Sequence, residues 1–344
     1  MSASTPRRAA SPRRRGPRRL AALTLALVAA LVVAACGSSN SSSSSSASSS
    51  AATSSSAAAA PTSSSSSGTG TTAAKSGGSI TLGTKNFTEE YVVGALYQQA
   101  LTKAGCKVNY KPNIGATEVV DKALTSGQID AYPEYTGESV ATVFGINKNV
   151  TSPQEEYNLA KAAYAKRGQV MSQMTPFFDT DAIAVLKSYA QKYHLVNTAD
   201  LAKVPHFTLG ARPEFLSREE GAAGMKKIYG VKNFTFKSLA LGLQYQALDS
   251  GAVNAIDVFT TDPQLASGKY TVLKDPKNIF GFQNIALVVN KNKLSSCPQV
   301  LTVADKINKL LTTPAIIAMN KAVALDKQQP GPVAAAFLKA NGMG

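Results

Sequence analysis

The passage Ala123-Leu124-Thr125-Ser126-Gly127-Gln128-Ile129-Asp130 has a counterpart in Ala247-Leu248-Asp249-Ser250-Gly251-Ala252-Val253-Asn254-Ala255-Ile256-Asp257. Each reads as the end of a helix, a glycine that releases the chain, a short apolar strand and an aspartate. The recurrence predicts two similar lobes of α/β architecture. Working outward from the first copy, Ile80-Thr81-Leu82 and Lys107 to Tyr110 read as strands, and Ile129 to Tyr132 as a third. Between them Tyr91 to Ala104 and Thr117 to Thr125 carry helical patterns, with Thr117 near an N-cap. Gln154 to Lys166 is a further helix, and Ala182 to Leu186 a short buried strand.

Around the second copy, Phe207 to Gly210 and Asn254 to Phe259 read as strands, and Glu219 to Tyr229 and Gly242 to Asp249 as helices. Ile285 to Val289 is a strand expected to return to the first lobe. Val300 to Leu338 is largely helical, with breaks marked by Pro314 and Pro330.

The N-terminal third is of a different kind. Seven arginines between Arg7 and Arg19 precede an uncharged apolar run of 16 residues, Leu20 to Ala35. That is short of the ~20 residues a bilayer-spanning helix needs, and it fits a cleaved targeting segment over residues 1–35. It ends in Val33-Ala34-Ala35-Cys36-Gly37, which resembles a bacterial lipobox and implies acylation of Cys36. An uncleaved anchor is the competing reading. Arg18-Arg19 leaves the choice between general and twin-arginine export open. From Gly37 to Gly78 the chain is Ser, Ala, Thr and Gly apart from Asn40, Pro61 and one charge, Lys75, too little apolar surface to offset chain entropy. A flexible tether is expected there.

The formal charge of +15 is concentrated in the leader. Of 36 Lys and Arg residues, seven lie in Arg7–Arg19 and one is Lys75, so residues 79–344 carry 28 basic against 21 acidic side chains. These are scattered, with no Lys/Arg run or basic–aromatic repeat, which argues against a nucleic-acid partner. Besides Cys36 the chain has only Cys106 and Cys297, compatible with one disulfide in an exported domain or with two small buried side chains. Two histidines, His194 and His206, form no cluster at metal-ligand spacing, so no metal is expected. No Gly-x-Ser-x-Gly elbow accompanies them, which leaves a hydrolase without a nucleophile arrangement.

Two blocks read as halves of a ligand pocket. Lys85-Asn86-Phe87-Thr88-Glu89-Glu90 stands where a strand gives way to a helix, beside free backbone N–H groups. Asp130-Ala131-Tyr132-Pro133-Glu134-Tyr135-Thr136-Gly137 adds aromatic faces and a Tyr-Thr-Gly turn.

Together with Gly115-Ala116-Thr117-Glu118-Val119, Asp179-Thr180-Asp181-Ala182, Pro213-Glu214-Phe215-Leu216-Ser217-Arg218 and Phe259-Thr260-Thr261-Asp262-Pro263, these blocks resemble the substrate-binding proteins of osmoprotectant ABC importers. That family binds glycine betaine, choline, carnitine or related quaternary amines. The resemblance runs in order over the whole of 79–344. It implies a two-lobed, periplasmic-binding-protein-like type II α/β fold with a two-strand hinge near Ala182–Leu186 and Asn284–Val288. One lobe would be 79–183 plus 286–344 and the other 184–285. It further implies a non-enzymatic solute-binding monomer, lipid-anchored outside the cytoplasmic membrane, whose partners are a permease and its ATPase. No cofactor is expected, since the chain has no P-loop of its own. A sensor that kept the binding fold is the alternative.

A trimethylammonium group has no N–H to donate and is best held by aromatic faces, each worth about 0.5–2 kcal/mol. With no Trp in the chain, Tyr and Phe must serve. The resemblance nominates Tyr135 and Phe259, and more loosely Phe282 beside Asn284. Lys85 and Arg218 are its candidates for a ligand carboxylate, with Thr88, Thr136 and Glu138 nearby in the motifs, and Asn86, Asp179 and Glu214 are further candidates for ligand contact. An ion pair of Arg218 with Glu214 or Glu219 is the plainer reading of that residue. Asp181 departs from the family, standing where an aromatic wall is common. It is expected either to draw a cation or to serve as a cap or hinge hydrogen bond.

Overall fold

The computed structural model describes residues 78–148 and 150–344, and these described residues belong to one compact unit. The expected leader, the acylated Cys36 and most of the tether lie outside the described residues. Ten strands make two five-stranded sheets. In the first are β1 (Ser79–Lys85), β2 (Lys107–Gly115), β3 (Ala131–Tyr135) and β4 (Gln169–Met171). The second holds β5 (Asp181–Leu186), β6 (Phe207–Ala211), β7 (Phe234–Ser238), β8 (Ala255–Phe259) and β9 (Tyr270–Leu273), and β10 (Ile285–Asn290) returns to the first.

The two sheets have the same plan. Their orders are β2-β1-β3-β10-β4 and β7-β6-β8-β5-β9. In each, the first three strands are parallel and the fourth runs antiparallel to both its neighbours. The antiparallel strand is the one supplied by the crossing chain: β10 enters the first sheet from the second lobe, and β5 enters the second from the first.

Because both faces of a sheet built this way are covered by helices, its central strands are buried and mostly apolar, with charged exceptions such as Glu134 in β3 and Asp257 in β8. The register of β10 shows how its period-2 side chains are shared out. Ile285, Leu287 and Val289 enter a core under helices Thr88–Lys103, Val300–Leu310, Thr313–Ala324 and Pro330–Ala340. Ala286 and Val288 enter the opposite core, under Thr117–Thr125 and Pro153–Lys166. The second sheet has its own pair of cores, one of them around Phe207, Leu209, Phe215 and Phe280.

The crossing lies a few residues before the hinge strands suggested by the sequence. Phe178 bridges Asn284, and the Asp179 amide donates to the Gln283 carbonyl at 3.0 Å. Ala182 and Ile183 are already in the second sheet, and Ile285 is in the first. The apolar runs marked strands buried on both faces; the polar crossing segments before them had no such signal.

Other departures are small. Prolines 314 and 330 open helices, in the first-turn position where a missing N–H costs nothing. The cap of Thr117–Thr125 is Ala116, and the Thr117 hydroxyl instead donates to Glu138 Oε2 at 2.8 Å. Cys106 and Cys297 are joined in a disulfide with Cα atoms 5.6 Å apart, pinning the start of β2 to the segment after β10. Closing a loop of 191 residues, it contributes about 2–4 kcal/mol by restricting the unfolded chain.

Candidate functional site

In open α/β sheets, ligands sit beyond the carboxyl ends of the parallel strands. Here both sheets point those ends at one cleft of about 440 Å³. β1 delivers Lys85, β3 delivers Tyr135, β6 ends just before Arg212 and β8 ends at Phe259. The antiparallel strands start at the same place: Asp181 pairs with Phe259 and Ile285 pairs with Tyr135. Tyr135 and Phe259 therefore hold equivalent positions in the two sheets.

Three aromatic rings converge in this cleft. Phe87 from the first lobe stacks on Phe259 from the second, with centroids 5.1 Å apart and planes inclined by 21°. Its centroid is 5.9 Å from that of Tyr135. The Tyr135 hydroxyl donates to Glu89 Oε1 at 2.9 Å, which fixes that ring at its edge.

Polar side chains around the rings are paired with one another. The Lys85 ammonium is bonded to Glu134 and lies 4.6 Å from the Tyr135 ring centroid. Burial alone would lower its pKa, but Glu134, Glu138 and Glu90 hold it above the ordinary lysine value. Arg212 grips Asp181 with both terminal nitrogens, at 2.6 and 2.7 Å, and reaches Asp257 at 2.9 Å. Its guanidinium also lies 5.3 Å from the Phe259 ring centroid. Burial would raise the Glu138 carboxyl, yet Arg218, Lys85 and Arg212 bring it below the ordinary range.

Arg218 ties the two lobes together. From the second lobe it donates to Glu138 at 2.7 Å and to Glu118 at 3.0 Å, both on the first. Glu138 is placed by a tight local arrangement. Gly137 packs directly on the Gln283 side chain, where a Cβ would lie 2.4 Å from Nε2, and Gln283 Oε1 accepts from the Glu138 amide at 3.0 Å. The segment Ser139–Val143 continues as a π-helix, a distortion that often accompanies functional sites.

Asp179 is the exception among the charged groups. Its Oδ1 accepts from the Thr261 amide at 2.9 Å, while Oδ2 has no partner among the described residues. Burial, with Glu89 and Asp262 nearby, pushes its carboxyl well above the ordinary range. Glu90 is raised to about 8 by burial, only partly offset by Lys85.

This cleft sits in a chain whose residues 78–340 match the family described as the substrate-binding domain of ABC-type glycine betaine transport systems. The chain belongs to that family. A glycine-betaine-binding protein of Pseudomonas aeruginosa is 32% identical over 274 residues, covering 76% of this chain and 87% of that one. A Helicobacter pylori protein named as an ergothioneine transport permease and binding protein is 30% identical over 270 residues. That match covers 77% of this chain but spans only about half, 48%, of the relative. Among solved structures, apo YehZ of Escherichia coli aligns with a TM-score of 0.58 at 27% identity, over 77% of this chain and 99% of that one. A glycine betaine/carnitine/choline ABC transporter structure aligns with a TM-score of 0.62 at 24% identity, over 77% and 98%, and supports the same type II fold.

For this betaine-type binding domain, the cleft gathers eight of the side chains singled out from sequence: Lys85, Asn86, Tyr135, Asp179, Asp181, Glu214, Arg218 and Phe259. Thr88 lies in an adjoining cavity. Thr136 and Asn284 are buried in the crossing instead: the Thr136 hydroxyl donates to the Phe282 carbonyl, and Asn284 Nδ2 donates to the carbonyls of Thr175 and Phe177. Phe282 does not line the cleft; its amide donates to Glu156 at 2.5 Å.

Two expected roles need correction. Lys85 and Arg218 are committed to protein carboxylates, so neither stands free for a ligand carboxylate in this conformation. Asp181 is neutralised by the Arg212 fork, so it is not the carboxylate that draws a cation. Sequence reasoning overlooked Phe87, Arg212 and the depth of Glu138. Phe87 was inside the quoted motif, and Arg212 follows a strand at its carboxyl end, the position the strand-end rule selects.

Proposed function

We propose that this chain captures a small quaternary-ammonium solute, such as glycine betaine or choline, outside the cytoplasm and presents it to an ABC permease. The observation that carries the reading is the convergence of Phe87, Tyr135 and Phe259 from the two lobes on one cleft, with the half-satisfied carboxyl of Asp179 beside them. Ring faces supply the negative quadrupole that a trimethylammonium group needs, and the bound cation in turn favours the ionised form of the Asp179 carboxyl, which then supplies the counter-charge. A solute touching rings from both lobes favours their closed arrangement, with 79–178 and 285–344 moving against 181–281 about the paired crossing segments. The permease would then read the closed pair.

A thermal-shift series with glycine betaine, choline, carnitine and ergothioneine tests this, because a ligand bound to the folded state raises its apparent stability by mass action. At least one trimethylammonium compound should raise the melting temperature in a concentration-dependent way. Failure of all four, with the protein folded, sinks the reading.

We also propose that the chain is acylated at Cys36 and held to the outer face of the membrane by the Ser/Ala tether. The arginine-rich leader and the Val33–Gly37 sequence support this. Cys36→Ser should release the protein from the membrane fraction or arrest its maturation. Unchanged mass and retention would contradict the anchor.

A further inference from the structure

The cavity adjoining the aromatic cleft, about 500 Å³ with the solvent open to it included, shares Phe87, Asp179, Leu241 and Phe259 with it. Its other walls come from both lobes and from the helix Thr313–Ala324. Three carboxyl side chains line it, Glu89, Asp179 and Asp262, and among the described residues no Lys or Arg does.

Two of those carboxyls are held by protein donors, Glu89 through both oxygens and Asp262 through Oδ2. Glu89 accepts from the hydroxyls of Tyr135 and Thr261 and from Asn320 Nδ2, at 2.9, 2.6 and 2.8 Å. Asp262 accepts from the Phe259 amide at 3.0 Å and the Tyr245 hydroxyl at 2.8 Å. Three other acceptors lining the cavity are left open among the described residues, one of them the half-buried Gln264 Oε1. Asp179 is 3% exposed, and its Oδ2 has no partner among the described residues. Asn320 is 4% exposed; its Nδ2 donates to Glu89 and to the Thr261 hydroxyl, which settles the orientation of the amide. That leaves Asn320 Oδ1 unpartnered among the described residues.

Buried acceptors are costly to leave unpaired, and what completes them is a donor. A carboxylate in this cavity would face three carboxyls with no cation to offset them. Phe87 and Phe259, the rings that wall both cavities, belong to opposite lobes, so opening of the lobes separates them and lets a ligand arm pass.

We propose that this cavity is a second subsite of the same cleft, and that the solute it selects carries a hydrogen-bond-donating arm beyond its quaternary head: an ammonium, N–H or hydroxyl group rather than a carboxylate. Asp179 Oδ2 and Asn320 Oδ1 receive that arm. The proposal rests on the reading that the aromatic rings hold a quaternary head.

Calorimetry with two compounds of matched arm length separates the two claims. (3-Aminopropyl)trimethylammonium carries a donor where n-butyltrimethylammonium carries a methyl group. On the full-length protein the amine should bind at least about tenfold more tightly. In Asp179→Asn, which places an N–H₂ group where Oδ2 stands, that ratio should fall to about threefold or less, over and above the loss of counter-charge that both quaternary heads share. Asn320→Leu should move the ratio the same way and serves if the first variant folds poorly. Equal affinities in the unaltered protein, or a ratio that survives both substitutions, overturn the donor subsite while leaving the quaternary-head reading intact. Binding of neither compound to the unaltered protein overturns both.

Discussion

Phe259→Ala should weaken binding of a quaternary-ammonium solute by roughly 10- to 100-fold while the protein stays folded. The ring lies at the carboxyl end of β8, partly buried, stacked on Phe87 across the cleft. One desolvated ring face is worth up to about 2 kcal/mol to a bound cation. Loss of the stacking partner also frees Phe87 to leave its place, a further contribution of about 0.5–1.5 kcal/mol. Together these give the stated range, since each 1.4 kcal/mol is about tenfold in affinity. Phe259 suits this test better than Tyr135, which is 3% exposed and hydrogen-bonded to Glu89, so that Tyr135→Ala would also disturb the core. Calorimetry on Phe259→Ala, with its melting curve alongside, reads both quantities. Unchanged affinity in a folded variant would remove the second lobe from the proposed box.

Arg212→Met should cost about 3–5 kcal/mol of stability at neutral pH, because it leaves Asp181 and Asp257 buried without their cation. Both carboxyls are nearly inaccessible, at 5% and 1% side-chain exposure, and Arg212 bonds each of them. For a domain of this size the loss corresponds to a fall in melting temperature on the order of 10 °C. The sign of its pH dependence is fixed. Asp257 is already pushed up to about 6 by burial, even with Arg212 opposing it. Removing the arginine raises it further. A carboxyl whose folded-state pKa exceeds its unfolded value loses stability as pH rises between the two values, so the deficit should shrink as the pH is lowered from 7 toward 4. Melting curves of Arg212→Met and the unaltered protein across that range provide the check. A deficit under about 1 kcal/mol at pH 7, or one that grows on acidification, contradicts the role assigned to Arg212.

Much of the fold could be read from short apolar runs and from the glycines that close helices. The two helix–Gly–strand passages, ending at Asp130 and Asp257, do occupy corresponding places in two sheets of the same strand order. β4, β7 and β9 escaped notice. They are edge or short strands whose side chains alternate in and out of solvent, as in Phe234–Ser238, so they present no continuous apolar run. The crossing was placed late for a related reason: Asp179, Gln283 and Asn284 are polar residues buried by hydrogen bonds, which hydropathy does not register.

Residue identity in the motifs located the cleft, but it did not say which charges were free. Lys85, Arg218 and Asp181 looked available because their partners, Glu134, Glu138 and Arg212, lie 49, 80 and 31 residues away in the chain. Pairing of that kind is a property of the folded chain, within a lobe for Lys85 and Asp181 and across the cleft for Arg218, and no local pattern announces it. Asp179, two residues from Asp181, is the carboxyl left half-satisfied, and only the hydrogen-bond network distinguishes the two.

The central claim is that a quaternary head lies against aromatic rings supplied by both lobes. A crystal structure of the protein with choline tests it most directly. The expected result places the quaternary nitrogen within about 6 Å of the ring centroids of Phe87, Tyr135 and Phe259. A ligand seated away from those rings, or touching one lobe alone in a closed protein, would contradict it.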